Sequence, residues 1–231
     1  MVDPEFSEDI ENRFLDLAPS DNENEFNAGY LLCDFMKSKI STSNKVVQIV
    51  MRAVDFSYAQ GFVQSLFDVE DPDELATEVG VACYWNDYHR LSLSAPIPDI
   101  APLFRECHSL QKGMADIIVL VASGLAEPAA ISGNLHRVIE RTGAPNLLVV
   151  APTATADEVA RLDSYLYQDR IFGVRLLLGA SPAHQERLRR LLPQYASSEA
   201  PPDSNGYPAH FKSLREKYSE FRQAQQPGFG P

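Results

Sequence analysis

Arg52, Asp87, Ser123 and Glu127 are the residues whose types and settings could do chemistry. Each follows an apolar run that reads as a strand, and α/β folds expose their sites at strand ends. Arg52 can hold a ligand anion or pair with an internal carboxylate such as Asp55. Glu127 precedes the helix expected from Pro128. An acid there suits an amine, a guanidinium or a ribose hydroxyl, or it simply complements the helix dipole for about 0.3–1 kcal/mol. Ser123 is a candidate nucleophile, but "VASGLA" lacks the G-x-S-x-G elbow and no His lies nearby in sequence. "CYWNDYHR" (83–90) gathers Tyr84, Trp85, Asn86 and Asp87 at a strand end. Aromatic walls with a few polar groups suit a small-molecule pocket; the other reading is a loop closing over the core. Tyr58, Asp55 and Thr153 complete the ligand-binding candidates.

Other chemistries find less support. His89, His108, His136, His184 and His210 are scattered without chelating spacing, so no metal site is expected and no cofactor is assigned. Three cysteines, with no C-x-x-C, suggest reduced thiols and a cytoplasmic setting. The longest apolar run, residues 117–122, is too short to span a bilayer. A net charge of -12 is unfavourable for nucleic acid, tRNA included, unless "QERLRRLLP" (185–193) contributes to a local basic patch.

These candidates need elements to position them. Hydrophobic periodicity predicts helices over 24–38, 55–67, 128–143, 155–168 and from Pro182, and strands over 45–53, 78–85, 115–122, 146–151 and 171–180. "LFRECHSLQKG" (103–113) reads as a short helix and turn ending at Gly113. Pro128 fits a first helical turn, and Thr155 with Glu158 has capping-box spacing. The alternation predicts one α/β domain over 25–195, a mostly parallel sheet with helices on both faces. Around it are expected an acidic flexible leader (1–24), a linker (196–208), an amphipathic helix (209–225) and a loose tail (226–231).

Several segments, in order, resemble the uracil phosphoribosyltransferases. "VQIVMRAVDFSYAQGF" (47–62) is similar to that family's strand leading into Met-Arg-Ala-Gly-Glu. "VACYWND" (81–87) stands where the family has Gln-Arg-Asp, and "IVLVASGLAEPAAIS" (118–132) where it has the phosphoribosyl-pyrophosphate loop. "LLVVAPTA" (147–154) stands where it has Ala-Pro-Glu-Gly. The resemblance implies the phosphoribosyltransferase-like parallel-sheet fold and a homodimer. It also exposes departures. Ala122 replaces the loop's Asp, and Glu127, Pro128 and Ala129 replace Thr-Gly-Gly. Asn86 replaces an Arg, Val54 a Gly, and Thr153 with Ala154 a Glu-Gly pair; the uracil-gripping Gly-Leu-Gly-Asp is not found after Ala180.

Physics gives these departures a sign. A 5′-phosphate seats on bare N–H groups at a helix start; Pro128 removes one, and Glu127 brings a like charge. Two like charges at ~4 Å repel by roughly 4 kcal/mol at an effective dielectric of 20. The expectation is a divergent relative that does not use phosphoribosyl pyrophosphate. One reading is a repurposed transferase-like enzyme with a small-molecule or aminoacyl substrate in the same cleft. Specialised metabolism, such as tRNA-dependent synthesis of arginine-containing cyclodipeptides, is one suggestion. The alternatives are a non-catalytic regulator or dimerisation partner, and a weak uracil phosphoribosyltransferase.

Overall fold

The computed structural model describes residues 22–36, 40, 45–68, 76, 78–87, 99–109, 113, 115–143 and 146–178. The expected helix after residue 180, the linker, the tail helix and the loose tail lie outside them. So do Tyr88, His89, Arg90 and all but the last three residues of the expected leader.

The first helix, α1 (Asn22–Met36), precedes β1 (Val46–Arg52), a short 3-10 turn (Ala53–Asp55) and α2 (Phe56–Phe67). β2 (Glu78–Asn86), β3 (Leu103–His108) and β4 (Ile117–Val121) follow. The chain then alternates through α3 (Pro128–Thr142), β5 (Asn146–Ala151), α4 (Ala156–Gln168) and β6 (Val174–Leu178). The six strands form one sheet in the order β3-β2-β1-β4-β5-β6. All neighbours pair in parallel except β3, which runs antiparallel to β2. This is the α/β class predicted, with helices on both faces.

The strand over 103–108 corrects the expected short helix and turn. Its residues are exposed or half-buried throughout, without alternation. No apolar periodicity therefore marks it in the sequence, and its state is set by pairing with β2, a tertiary effect.

Two cores sandwich the sheet. Val47, Ile49 and Met51 of β1 point into one with α1 and α2, and Val50 points into the other with α3 and α4. The period of two along a strand makes this division automatic. α1 and α2 cross where each has a glycine. A Cβ on Gly29 would stand 1.8 Å from the Tyr58 carbonyl oxygen, and one on Gly61 would stand 1.8 Å from that of Phe26. Gly61 sits inside a helix because the neighbouring backbone occupies the space a side chain would need.

Two local helix signals hold. Pro128 lies in the first turn of α3. Thr155 and Glu158 form a reciprocal capping box on α4. The strand order has one reversal that matters: from β1 the chain moves outward to β2, whereas β4, β5 and β6 build in the other direction. The crevice between the carboxyl ends of β1 and β4 is therefore the topological switch point, where sheets of this kind bind ligands.

Candidate functional site

Arg52 is the last residue of β1, and the loop after β4 carries Ser123, Gly124 and Glu127 to the same place. The 3-10 turn after β1 brings Asp55 back beneath them. The Arg52 guanidinium donates from Nε to Asp55 Oδ2 at 2.6 Å and from Nη2 to Asp55 Oδ1 at 3.0 Å. Its Nη1 donates to Glu127 Oε2 at 2.9 Å. Ser123 donates twice to Asp55 Oδ1, from its backbone N at 2.9 Å and from Oγ at 2.5 Å. The sequence readings of Arg52, Asp55, Ser123 and Glu127 thus meet in one network at the switch point.

Its electrostatics are specific. The Asp55 side chain is fully buried and accepts four hydrogen bonds, while the Glu127 side chain keeps 14% of its surface exposed. Burial alone would lower the Arg52 pKa, but Asp55 and then Glu127 outweigh it and raise the value above its ordinary level. The guanidinium is permanently charged and internally matched. One cation faces two carboxylates, so the network has an excess of one negative charge when both acids are ionised. The bidentate fork that would suit a pyrophosphate is engaged by Asp55.

The same bonds bear on Ser123 as a nucleophile. Its hydroxyl proton is directed at a carboxylate that Arg52 also engages from two nitrogens. Among the described residues no histidine takes part in this network.

Tyr58 lies near the network, and the remaining candidates are placed elsewhere. Tyr84 and Trp85 do not line a common wall. Adjacent strand residues point to opposite faces, and the structure buries Tyr84 in the α3/α4 core and Trp85 in the α1/α2 core. Asn86 exchanges hydrogen bonds with Asn134 of α3 at 3.1 and 2.9 Å, tying β2 to that helix. Asp87 is exposed, its backbone N–H bonded to the Pro102 carbonyl. Thr153 is buried beyond the end of β5, and its hydroxyl has no partner among the described residues. Tyr58 lies buried on α2. Burial first, and then the Asp55 charge, push its pKa well above the ordinary value. Its position is near the network, and its hydroxyl has no bond to a described residue.

A second group of charges was not singled out from sequence. Glu106 and His108 on β3 face Arg137, Glu140 and Arg141 on α3 across a groove of about 220 Å³. The i, i+4 spacing of the two arginines was the available signal. Among the described residues no group of three or more His, Cys, Asp or Glu could hold a metal ion. No described helix is long and apolar enough to cross a membrane.

No protein-family model matches the sequence, and no curated protein matches it. Solved structures with similar chain folds include two phosphoribosyltransferases. One is the adenine phosphoribosyl transferase of Trypanosoma brucei, in complex with AMP, pyrophosphate and ribose-5-phosphate. It is 11% identical with a TM-score of 0.47, and the match covers 90% of this chain and 94% of that one. Another is the hypoxanthine-guanine phosphoribosyl transferase of L. donovani, 9% identical with a TM-score of 0.34, covering 69% of this chain and 79% of that one. At such identities nothing about chemistry passes to this chain, whose own side chains must supply it.

Proposed function

We propose that this chain is a divergent phosphoribosyltransferase-like protein whose switch-point crevice holds a donor-rich, cationic ligand and not phosphoribosyl pyrophosphate. The observation that carries this reading is the double engagement of Arg52 by Asp55 and Glu127. A pyrophosphate arriving here finds its arginine taken and a carboxylate at the helix start. An amine or guanidinium instead meets a net negative crevice with Glu127 partly exposed at its mouth. Free arginine, or an arginyl group carried on tRNA, is the finer member of this class, in keeping with a transferase acting on aminoacyl groups.

Calorimetry tests it directly. Phosphoribosyl pyrophosphate with magnesium should bind no tighter than about 100 μM, roughly 5.5 kcal/mol, and uracil added to that mixture should yield no nucleotide. Arginine and simple amines should bind, with affinity lost in Glu127→Gln. Tight phosphoribosyl pyrophosphate binding, or amine binding indifferent to Glu127→Gln, overturns the proposal.

A second reading is a non-catalytic scaffold serving as a regulator or dimerisation partner. The saturation of Asp55, with four bonds and no exposed surface, supports it. Here the network is only a clasp joining the β4 loop to β1. Absence of any crevice ligand, with loss of stability in Arg52 variants, is its expected signature.

A further inference from the structure

The groove between β3 and the second half of α3 is separate from the crevice. α3 starts at the crevice with Pro128, and Arg137 and Arg141 lie nine and thirteen residues further on. At 1.5 Å per residue they sit about 14 and 20 Å along the helix axis. The lining is Glu106, His108, Arg137, Glu140 and Arg141.

Unlike the crevice, these charges are not matched at close range. Arg137 Nη1 is 3.9 Å from Glu106 Oε2, and His108 Nε2 is 3.7 Å from the same oxygen. Both separations are too long for a hydrogen bond. Arg141 makes no side-chain hydrogen bond or ion pair with any described residue. The His108 side chain has only 7% of its surface exposed, yet its Nδ1 has no partner among the described residues. A buried ring nitrogen without a partner is costly unless something supplies one. The ring is held by Tyr84, whose plane meets it edge-on at 5.3 Å between centroids. Burial, and then Arg141, lower the His108 pKa, which favours the neutral ring near pH 7.

The charges lining the groove then sum to zero: two arginines against Glu106 and Glu140. Glu140 is at the rim, 67% exposed and 4.0 Å from His136. The remaining charges are polarised across the groove, cations on α3 and the Glu106 carboxylate on β3. A simple anion would meet Glu106 and the negative end of the α3 dipole. A simple cation would meet two guanidinium groups. A molecule carrying both signs a few ångströms apart meets neither penalty. A volume of about 220 Å³ is ample for a small amino acid.

We propose that this groove binds a small zwitterion of the α-amino-acid type, its carboxylate on Arg137 and Arg141 and its ammonium on Glu106. His108 lines the groove between the two charged sides. The site is independent of the crevice reading and survives its failure.

The test uses the full chain, with calorimetry against L-alanine, propionate and propylamine. Propionate and propylamine each carry one of the two charged groups. Alanine should bind, and each half-ligand should bind at least about tenfold more weakly, which is about 1.4 kcal/mol. Arg141→Gln and Glu106→Gln should each weaken alanine by a similar factor. Both positions are exposed, and circular dichroism checks that the variants fold. Nitrogen NMR should show the His108 ring shifting as alanine is added. The proposal is overturned if alanine does not bind at about 10 mM, an affinity that would leave under about 3 kcal/mol. Propionate binding as tightly as alanine, or variants that leave alanine affinity unchanged, also overturn it.

Discussion

The crevice at the ends of β1 and β4 and the groove between β3 and α3 contain the same kinds of groups, yet they resolve their charges in opposite ways. In the crevice, Arg52 is buried and its bonds to Asp55 and Glu127 are 2.6 to 3.0 Å long. In the groove, among the described residues, the nearest acid to an arginine is 3.9 Å away and Arg141 has none in reach. A buried charge must be matched within the fold, because the desolvation penalty is several kcal/mol per ion. A charge at the solvent boundary is solvated and can wait for a partner. Residue type alone therefore does not separate a clasp from a site; the separation lies in how completely each group is satisfied.

The largest expected effect breaks the crevice side of this contrast. Arg52→Met leaves Asp55 fully buried without its counter-charge, so a loss of about 3–5 kcal/mol is expected. Chemical denaturation measures it, with Asp55→Asn in the Arg52→Met background recovering part of the loss. Variant stability within about 0.5 kcal/mol of the parent would show that the guanidinium does not hold the crevice together. Gly61→Ala is expected to come next, at about 1–3 kcal/mol for an overpacked contact. Its added carbon meets backbone, which cannot rotate away. The same measurement on Gly133→Ala is the control, since nothing lies near a Cβ there.

The sequence made one of these regions far more legible than the other. The β-branched run before Arg52 and the small-residue loop before Pro128 are strong local signals, and each places its residues at a strand end. Parallel order then brings Arg52, Asp55, Ser123 and Glu127 together. The pairing of Tyr84 with Trp85 misled for an equally physical reason. A dense aromatic stretch looks like a wall, but on a strand its members face apart. β3 left no trace, because an exposed edge strand has no buried face to impose alternation. With β3 went Glu106 and His108, and so one side of the groove. Tertiary pairing, and not composition, created that site.

A smaller effect sharpens the comparison. Glu127→Gln keeps a hydrogen-bond acceptor for Arg52 and removes the surplus negative charge, while Asp55 still matches the guanidinium. A loss of about 1 kcal/mol or less is expected, in the range of a partly exposed ion pair. Arg141→Gln should change stability by under about 0.5 kcal/mol, as for an exposed side chain with no bonds to lose. Thermal melts of the two variants beside Arg52→Met give the ranking. If Arg141→Gln were as damaging as Arg52→Met, the groove would be a clasp too.

The smallest effect is a pH dependence read at His108 in the groove. Arg52 has a raised pKa, so its contribution persists at all pH values below the ordinary arginine range and is silent near neutrality. His108 is lowered by burial and by Arg141, against a partial opposing effect from Glu106. The unfolded chain then takes up a proton near pH 6.5 while the folded one resists. Stability contributed by the neutral ring is complete above about pH 6.5 and is lost as the pH falls through the folded value. The same protonation would place a third cation beside Arg137 and Arg141. Melting temperatures of the parent and of His108→Gln, followed from pH 7.5 to 5.5, isolate this ring. The parent should fall more steeply than the variant, and parallel curves would mean that His108 is not held neutral by its surroundings. An amino acid bound in the groove should steepen the parent's fall further, because the added charge disturbs the balance across the groove.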